Sequence, residues 1–217
     1  MIHIKKNLPP SEFISFIKET PNVHFDDLPS DIKAILRKAL LQEQYGLCAY
    51  CMSKIFDDHN KTKIEHYQAR NGDNELDYSN LLAVCTGNSV DNSPNHQHCD
   101  TKKGEQTLHI NPQNPDHISM ISYKTDGTIF CPANKEFDRD LNEVLNLNDD
   151  LGYLKNNRKN VLRKLQEKIK SKFQDKNATV VFLKKALKFY TTPKDGRLEP
   201  YCGIIIDYLK KKIKAWS

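Results

Sequence analysis

Hydrophobic positions divide the chain into a helical start, a polar middle and a helical end. After the prolines of Leu8-Pro9-Pro10, the spacing of Phe13, Phe16 and Ile17 predicts a short helix with Ser11 as its cap. Thr20-Pro21 and Leu28-Pro29 then punctuate the chain. Ser30-Asp31 opens a stronger helix, with Ile32, Ile35, Leu36, Leu40 and Leu41 on one face, ending near Tyr45-Gly46. Residues 47–104 lose that periodicity and are dense in Cys, His, Asn, Asp and Gly; they read as a short β-hairpin, a long loop and a helix beginning near Asp100. A second hairpin is expected from runs Ile118–Tyr123 and Thr128–Phe130 around the turn Lys124-Thr125-Asp126-Gly127. The last third carries three apolar stripes: Leu154, Val161, Leu162, Leu165, Ile169 and Phe173; then Val180, Leu183, Leu187 and Tyr190; then Cys202, Ile205, Ile206, Leu209, Ile213 and Trp216. These stripes are expected to pack on one another as a core, without chemistry of their own.

At 217 residues, with 38% hydrophobic and 28% charged positions, the chain reads as soluble and globular, and large enough to bury a core without disulfides. No apolar run reaches the roughly 20 residues of a membrane span, and Met1–Lys6 is too polar for a secretory signal, so no membrane association and a cytoplasmic location are expected. In that compartment the six cysteines read as metal ligands or buried thiols. The net charge of +5 is uneven: residues 151–217 hold 18 Lys and Arg against 5 Asp and Glu, a net of +13, leaving −8 on the first 150. Nucleic acid or an acidic partner for the last third, and plain solvated lysine faces, are equally good readings of that split.

Candidate chemistry concentrates in the polar middle. Cys48-x-x-Cys51 can chelate one tetrahedral zinc, a redox role wanting a βαβ context that is not seen. Cys85 and Cys99 are the natural remaining ligands, with His96 and His98 as substitutes. Ile64-Glu65-His66 offers a carboxylate for a hard cation beside a side chain suited to general base catalysis. Strand neighbours point to opposite faces, so Glu65 and His66 can share a site only where the strand ends. Asn80 can pin a loop through its amide, or cap a helix with Ser79. Asp100 can be a second metal-binding carboxylate, and Lys103 can neutralise a phosphate oxygen. Cys131 and Cys202 are expected as buried small hydrophobes.

In order, the segment CAYC…IEH…YSNLLAVC…HCDTKKG resembles the HNH endonuclease signature over 57 of 217 residues. The resemblance implies an α+β fold: a ββα-metal core with a structural zinc knuckle, N-terminal helices and a C-terminal helical region. It divides the chain into 1–46 (helical), 47–133 (nuclease core and following hairpin) and 134–217 (basic helices). It implies His66 as the base that activates water, Glu65 and Asp100 as ligands of a catalytic Mg²⁺ or Mn²⁺, Asn80 as the residue fixing the loop, and Lys103 as the lysine of the final element. Cys48, Cys51, Cys85 and Cys99 would hold structural Zn²⁺. The family commonly has Asp at the position of Glu65, and Asn or His at that of Asp100. A narrower resemblance, carried by QYGLCAYC, IEHY, DYSNLLAVC and the later HINP (109–112), is to the PtuB family, the HNH component of Septu-type anti-phage systems and of some retron systems. It implies an ABC/SMC-class ATPase partner of the PtuA kind and, in a retron setting, a reverse transcriptase and its nucleic acid. DNA is the favoured substrate. A tRNA-cleaving RNase on the same scaffold and a non-catalytic zinc-stabilised binding module are the competing readings.

Overall fold

The computed structural model describes residues 1–90, 93–149, 151–172 and 176–216, and shows an α+β arrangement with two small antiparallel sheets. Phe173 of the first C-terminal stripe lies outside the described residues.

Helix α1 (Ser11–Glu19) begins after Pro10, which occupies the cap position without a side-chain bond. Helix α2 (Ser30–Glu43) buries Ile32, Leu36 and Leu40, one residue per turn on one face. Two left-handed residues, Tyr45 (φ 55°) and Gly46 (φ 72°), stop it, and the Gly46 amide returns to the Leu41 carbonyl at 2.9 Å. The chain then enters the Cys48–Cys51 turn.

Strand β1 (Thr62–His66) pairs antiparallel with β2 (Leu81–Cys85), with Thr62 opposite Cys85 and His66 opposite Leu81. Residues 81–84 of β2 are wholly buried because the strand is covered on both faces. Its outer edge is not left open. The Gln44 side chain donates to Ala83 O and accepts from Ala83 N, each at 2.7 Å, and the Ala49 amide also reaches Ala83 O. Helix α2, the cysteine turn and β2 are thereby fixed as one block. Helix α3 (Cys99–Lys103) packs on β2.

The second hairpin is smaller than the sequence pattern suggests. Ile118 and Ser119 belong to a short helix α4 (Pro115–Ser119), started by the Asn114 side chain on the Asp116 amide and by Pro115 in the first turn; only Ser122–Tyr123 (β3) pairs with Ile129–Phe130 (β4). Helix α5 (Lys135–Arg139), capped by Asn134, runs into a π-helical turn, Asp140–Val144.

One hydrophobic cluster runs from Met1 through α1, α2, β2 and α5 to Leu154. A second joins Leu162, Leu165, Leu183, Ala186, Ile204, Ile205 and Leu209 from α6 (Tyr153–Lys172), α7 (Lys176–Thr191) and α8 (Cys202–Trp216). Leu154 therefore leaves the stripe in which the sequence puts it and joins the first cluster. Arg158 ties the two together: it is 1% exposed and donates to Gly127 O (2.6 Å), Leu147 O (2.7 Å) and Asn148 Oδ1 (2.9 Å). Gly203 lets α8 approach the cysteine turn, since a Cβ there would stand 2.8 Å from Met52 Sδ and from Tyr123 Oη. No helix among the described residues is long and apolar enough to cross a membrane.

Candidate metal centre and adjoining cleft

The four cysteines come from three elements. Cys48 and Cys51 sit on a turn closed by Met52 N to Cys48 O (3.1 Å), Cys85 ends β2, and Cys99 opens α3 in the left-handed region (φ 56°). All four sulfurs lie within 4.8 Å of one another, with Cys51–Cys85 at 3.7 Å and Cys48–Cys99 at 3.9 Å. A tetrahedral Zn²⁺ with bonds of about 2.3 Å requires sulfur separations of about 3.8 Å, so the donor set and its dimensions fit zinc. Hydrogen bonds from the neighbouring thiols hold Cys85 well below the usual thiol range, while burial pushes Cys48 and Cys99 up. His98 stands beside the group, its Nδ1 3.2 Å from Cys99 Sγ and 4.0 Å from Cys85 Sγ.

The wide interval from Cys85 to Cys99 is folded back on itself. The His98 amide donates to Gly87 O at 3.0 Å, and Thr101 Oγ1 donates to Thr86 O at 2.8 Å. Gly87 has φ +59°, and a Cβ there would lie 2.1 Å from His98 O, so this closure needs glycine.

Beyond the thiols, a cleft of about 310 Å³ is lined by residues that include Phe25, Glu65, His66, Arg70, Asp100 and Lys103. Glu65 and His66 both reach it because His66 is the last residue of β1. Cys99 and Asp100 are consecutive, so whatever holds the thiols also fixes Asp100 and, one turn on, Lys103. The two carboxyl groups share a hydrogen bond. Burial and then that neighbour push Glu65 up to about 8. For Asp100 burial acts upward too, but the bonds from Glu65 and Lys63 outweigh it, and its carboxyl lies below the ordinary range. Lys103 Nζ lies 2.8 Å from Glu65 Oε1 and donates to His66 O at 3.1 Å; Tyr50 Oη donates to Glu65 Oε1 at 3.2 Å; Lys63 Nζ is 2.9 Å from Asp100 Oδ2. Lys103 is 2% exposed and lines the cleft with its ammonium group set against the Glu65 carboxylate.

His66 Nε2 is 2.9 Å from Glu75 O, an acceptor only, so this nitrogen carries the proton and Nδ1 keeps its lone pair. The Phe25 ring packs on the imidazole at 4.5 Å and 83°. Burial lowers the imidazole below its usual value. Asn80 spans the loop from β1 to β2: its Oδ1 accepts from Gln68 N at 2.8 Å, and its Nδ2 donates to Gln68 O (3.2 Å) and Asn74 O (3.3 Å).

Tyr50, Lys63, Arg70 and the pair His24–Glu75 are not singled out by the sequence pattern. Tyr50 lies within CAYC and Arg70 four residues past His66, the only local signals for either. His24 comes from far outside the segment, and its Nδ1 is 2.7 Å from Glu75 Oε1. Cys131 and Cys202 are buried away from the thiol group.

No protein-family model matches the chain. Two curated sequences are similar to it. One, named "Retron Ec83 putative HNH endonuclease", from Escherichia coli, is 33% identical over 98 residues, covering 40% of this chain and 38% of that protein. The other, "Retron Vc95 putative HNH endonuclease", from Vibrio cholerae serotype O1 biovar El Tor, is 29% identical over 139 residues, covering 59% of this chain and 65% of that protein. The chain thus spans less than two thirds of the length of either relative.

Proposed function

We propose that this chain is a metal-dependent endonuclease of the HNH, ββα-metal class, hydrolysing phosphodiester bonds of nucleic acid, with DNA the favoured substrate. The observation that carries the reading is the convergence of Glu65, His66 and Asp100 on one cleft, from the end of a β-hairpin and the start of the helix that follows it. Its likeness to two proteins named as retron HNH endonucleases supports it.

In this mechanism His66 Nδ1 accepts a proton from the attacking water. The Glu75 carbonyl on Nε2 fixes the tautomer and aims the ring. Glu65 and Asp100 would hold Mg²⁺ or Mn²⁺, oxygen donors being the preference of such cations. When bound, the cation supplies Lewis-acid neutralisation of the pentavalent phosphorus and the leaving oxygen. Lys103 and Tyr50 orient Glu65, and Asn80 holds the loop that carries the Glu75 carbonyl. The four thiols would hold Zn²⁺, which keeps Asp100 and Lys103 in place through Cys99.

The three regions 1–46, 47–133 and 134–217 then serve as helical support, nuclease core and basic docking region. The setting is an anti-phage defence complex of the retron or Septu type, with a PtuA-like ABC/SMC-class ATPase as partner. The test is cleavage of DNA and of RNA by the chain with and without that ATPase in Mg²⁺, against His66→Ala. Cutting by the first alone supports the reading, and cutting by both refutes the role of His66.

A further inference from the structure

Beside the cleft lies a second depression, of about 510 Å³, between α2 and β1. It shares the Phe25 and Ile64 wall with the cleft, and its lining adds Lys33, Arg37, His59 and Lys63. Among the described residues its lining includes no carboxylate. That is unexpected in the part of the chain whose net charge is −8. The cleft next door is lined by Asp26, Glu65, Asp100 and Glu105 together with His66, Arg70 and Lys103. Carboxylates therefore gather where a cation would sit, whereas the charged groups lining the depression beside it are all basic.

Lys63 joins the two: it lines the basic depression, and its Nζ reaches Asp100 Oδ2 at 2.9 Å. Lys33 and Arg37 lie one turn apart on α2 and face the same side. Lys33 Nζ donates to Asp26 O at 2.7 Å, and Arg37 Nε to the half-exposed Asp57 at 3.0 Å. These contacts use one donor of each group, whereas an ammonium has three and a guanidinium five.

We propose that this groove binds the phosphodiester backbone of the nucleic-acid strand to one side of the bond being cut, so that the backbone track runs over the N-terminal helix α2. The proposal rests on the nuclease reading of the cleft and names where its substrate lies. It assigns substrate contact to a region of net negative charge, and leaves the +13 of residues 151–217 for other partners. The chemistry recognised is a run of phosphates, common to DNA and RNA.

The test separates binding from cutting. Full-length protein carrying His66→Ala is titrated against fluorescent single-stranded DNA, duplex DNA and RNA of equal length, by anisotropy across a salt series. Adding Lys33→Glu with Arg37→Gln is expected to weaken binding at least about tenfold and to lower the salt slope by about two, one per lost phosphate contact. A comparator, Lys184→Glu with Lys188→Glu on the exposed side of α7, is expected to bind as its parent does. Should the α2 variant melt early, Lys33→Ala and Arg37→Ala are read singly. Unchanged affinity in the α2 variants, loss confined to the α7 variant, or no binding by the parent would each overturn the groove. A protein that binds through α2 but never cuts would retain the groove and refute the nuclease reading; one that cuts with α2 altered and binding intact would do the reverse.

Discussion

Lys103 and Glu65 form a buried ion pair at 2.8 Å, with side chains 1% and 7% exposed, and the same ammonium group also holds the His66 carbonyl. One cation therefore fixes two consecutive residues at the end of β1. Removing one partner of a buried pair leaves the other charge uncompensated, at a cost of about 3–5 kcal/mol. Lys103→Met should lower stability by about that amount in denaturant titration. Lys103→Met with Glu65→Gln should recover part of the loss. If Lys103→Met is as stable as the parent, the pair does not anchor β1 to α3.

The sulfur separations near 3.8 Å lead to a second expectation. The purified chain should carry one zinc, and Cys48→Ser or Cys99→Ser should lose it and melt earlier. Zinc content by mass spectrometry under native conditions, with thermal melting, checks this. Cys131→Ser should keep the metal, because Cys131 is not in the thiol group.

Asn80 is 5% exposed and makes three bonds across the loop between β1 and β2. Asn80→Ala should cost about 1–3 kcal/mol for the backbone groups it leaves unpaired. Hydrogen exchange of residues 67–77 should rise while that of α6–α8 stays the same. Uniform exchange changes, or none, would mean the loop is held by other contacts.

The His24–Glu75 pair gives a pH dependence. The Glu75 hydrogen bond raises His24 above its usual value, and the His24 bond lowers Glu75 below its own. A raised histidine stabilises the fold fully below its unfolded pKa of about 6.5, and that stability is lost as pH rises through the folded value. The lowered carboxylate contributes above its unfolded pKa of about 4.3, and its contribution is lost as pH falls through the folded value. His24→Ala should therefore cost stability at pH 6 and much less at pH 9, measured as the denaturation midpoint at each. An equal loss at both would assign His24 to packing alone.

Much of the site is legible in the sequence because its parts are local. CxxC sets two thiols on one turn, Glu65-His66 are neighbours at a strand end, and Cys99-Asp100 open one helix. The helical stripes of α1 and α2 are equally plain. What the sequence hides depends on distant groups: Gln44 closing the edge of β2, Glu75 lending its carbonyl to His66, and Arg158 buried between two clusters. Ile118 and Ser119 read as strand by composition, yet the Asn114-Pro115 start captures them into α4. Lys103 shows the limit of motif reading. Its position in the pattern suggests a phosphate ligand, and the buried pair it makes with Glu65 is a second contact that the pattern does not show.

Whether Glu65, His66 and Asp100 form a hydrolytic centre is decided by single-turnover cleavage with Mg²⁺. Wild type, His66→Ala and Asp100→Asn are compared on plasmid DNA and on total tRNA, with the candidate ATPase present. Wild type should cut one of these substrates, EDTA should stop it, and His66→Ala should be slower by about 10²–10⁴-fold while retaining its fold and zinc. Cutting at the wild-type rate by folded His66→Ala, or in EDTA, would contradict a hydrolytic centre there.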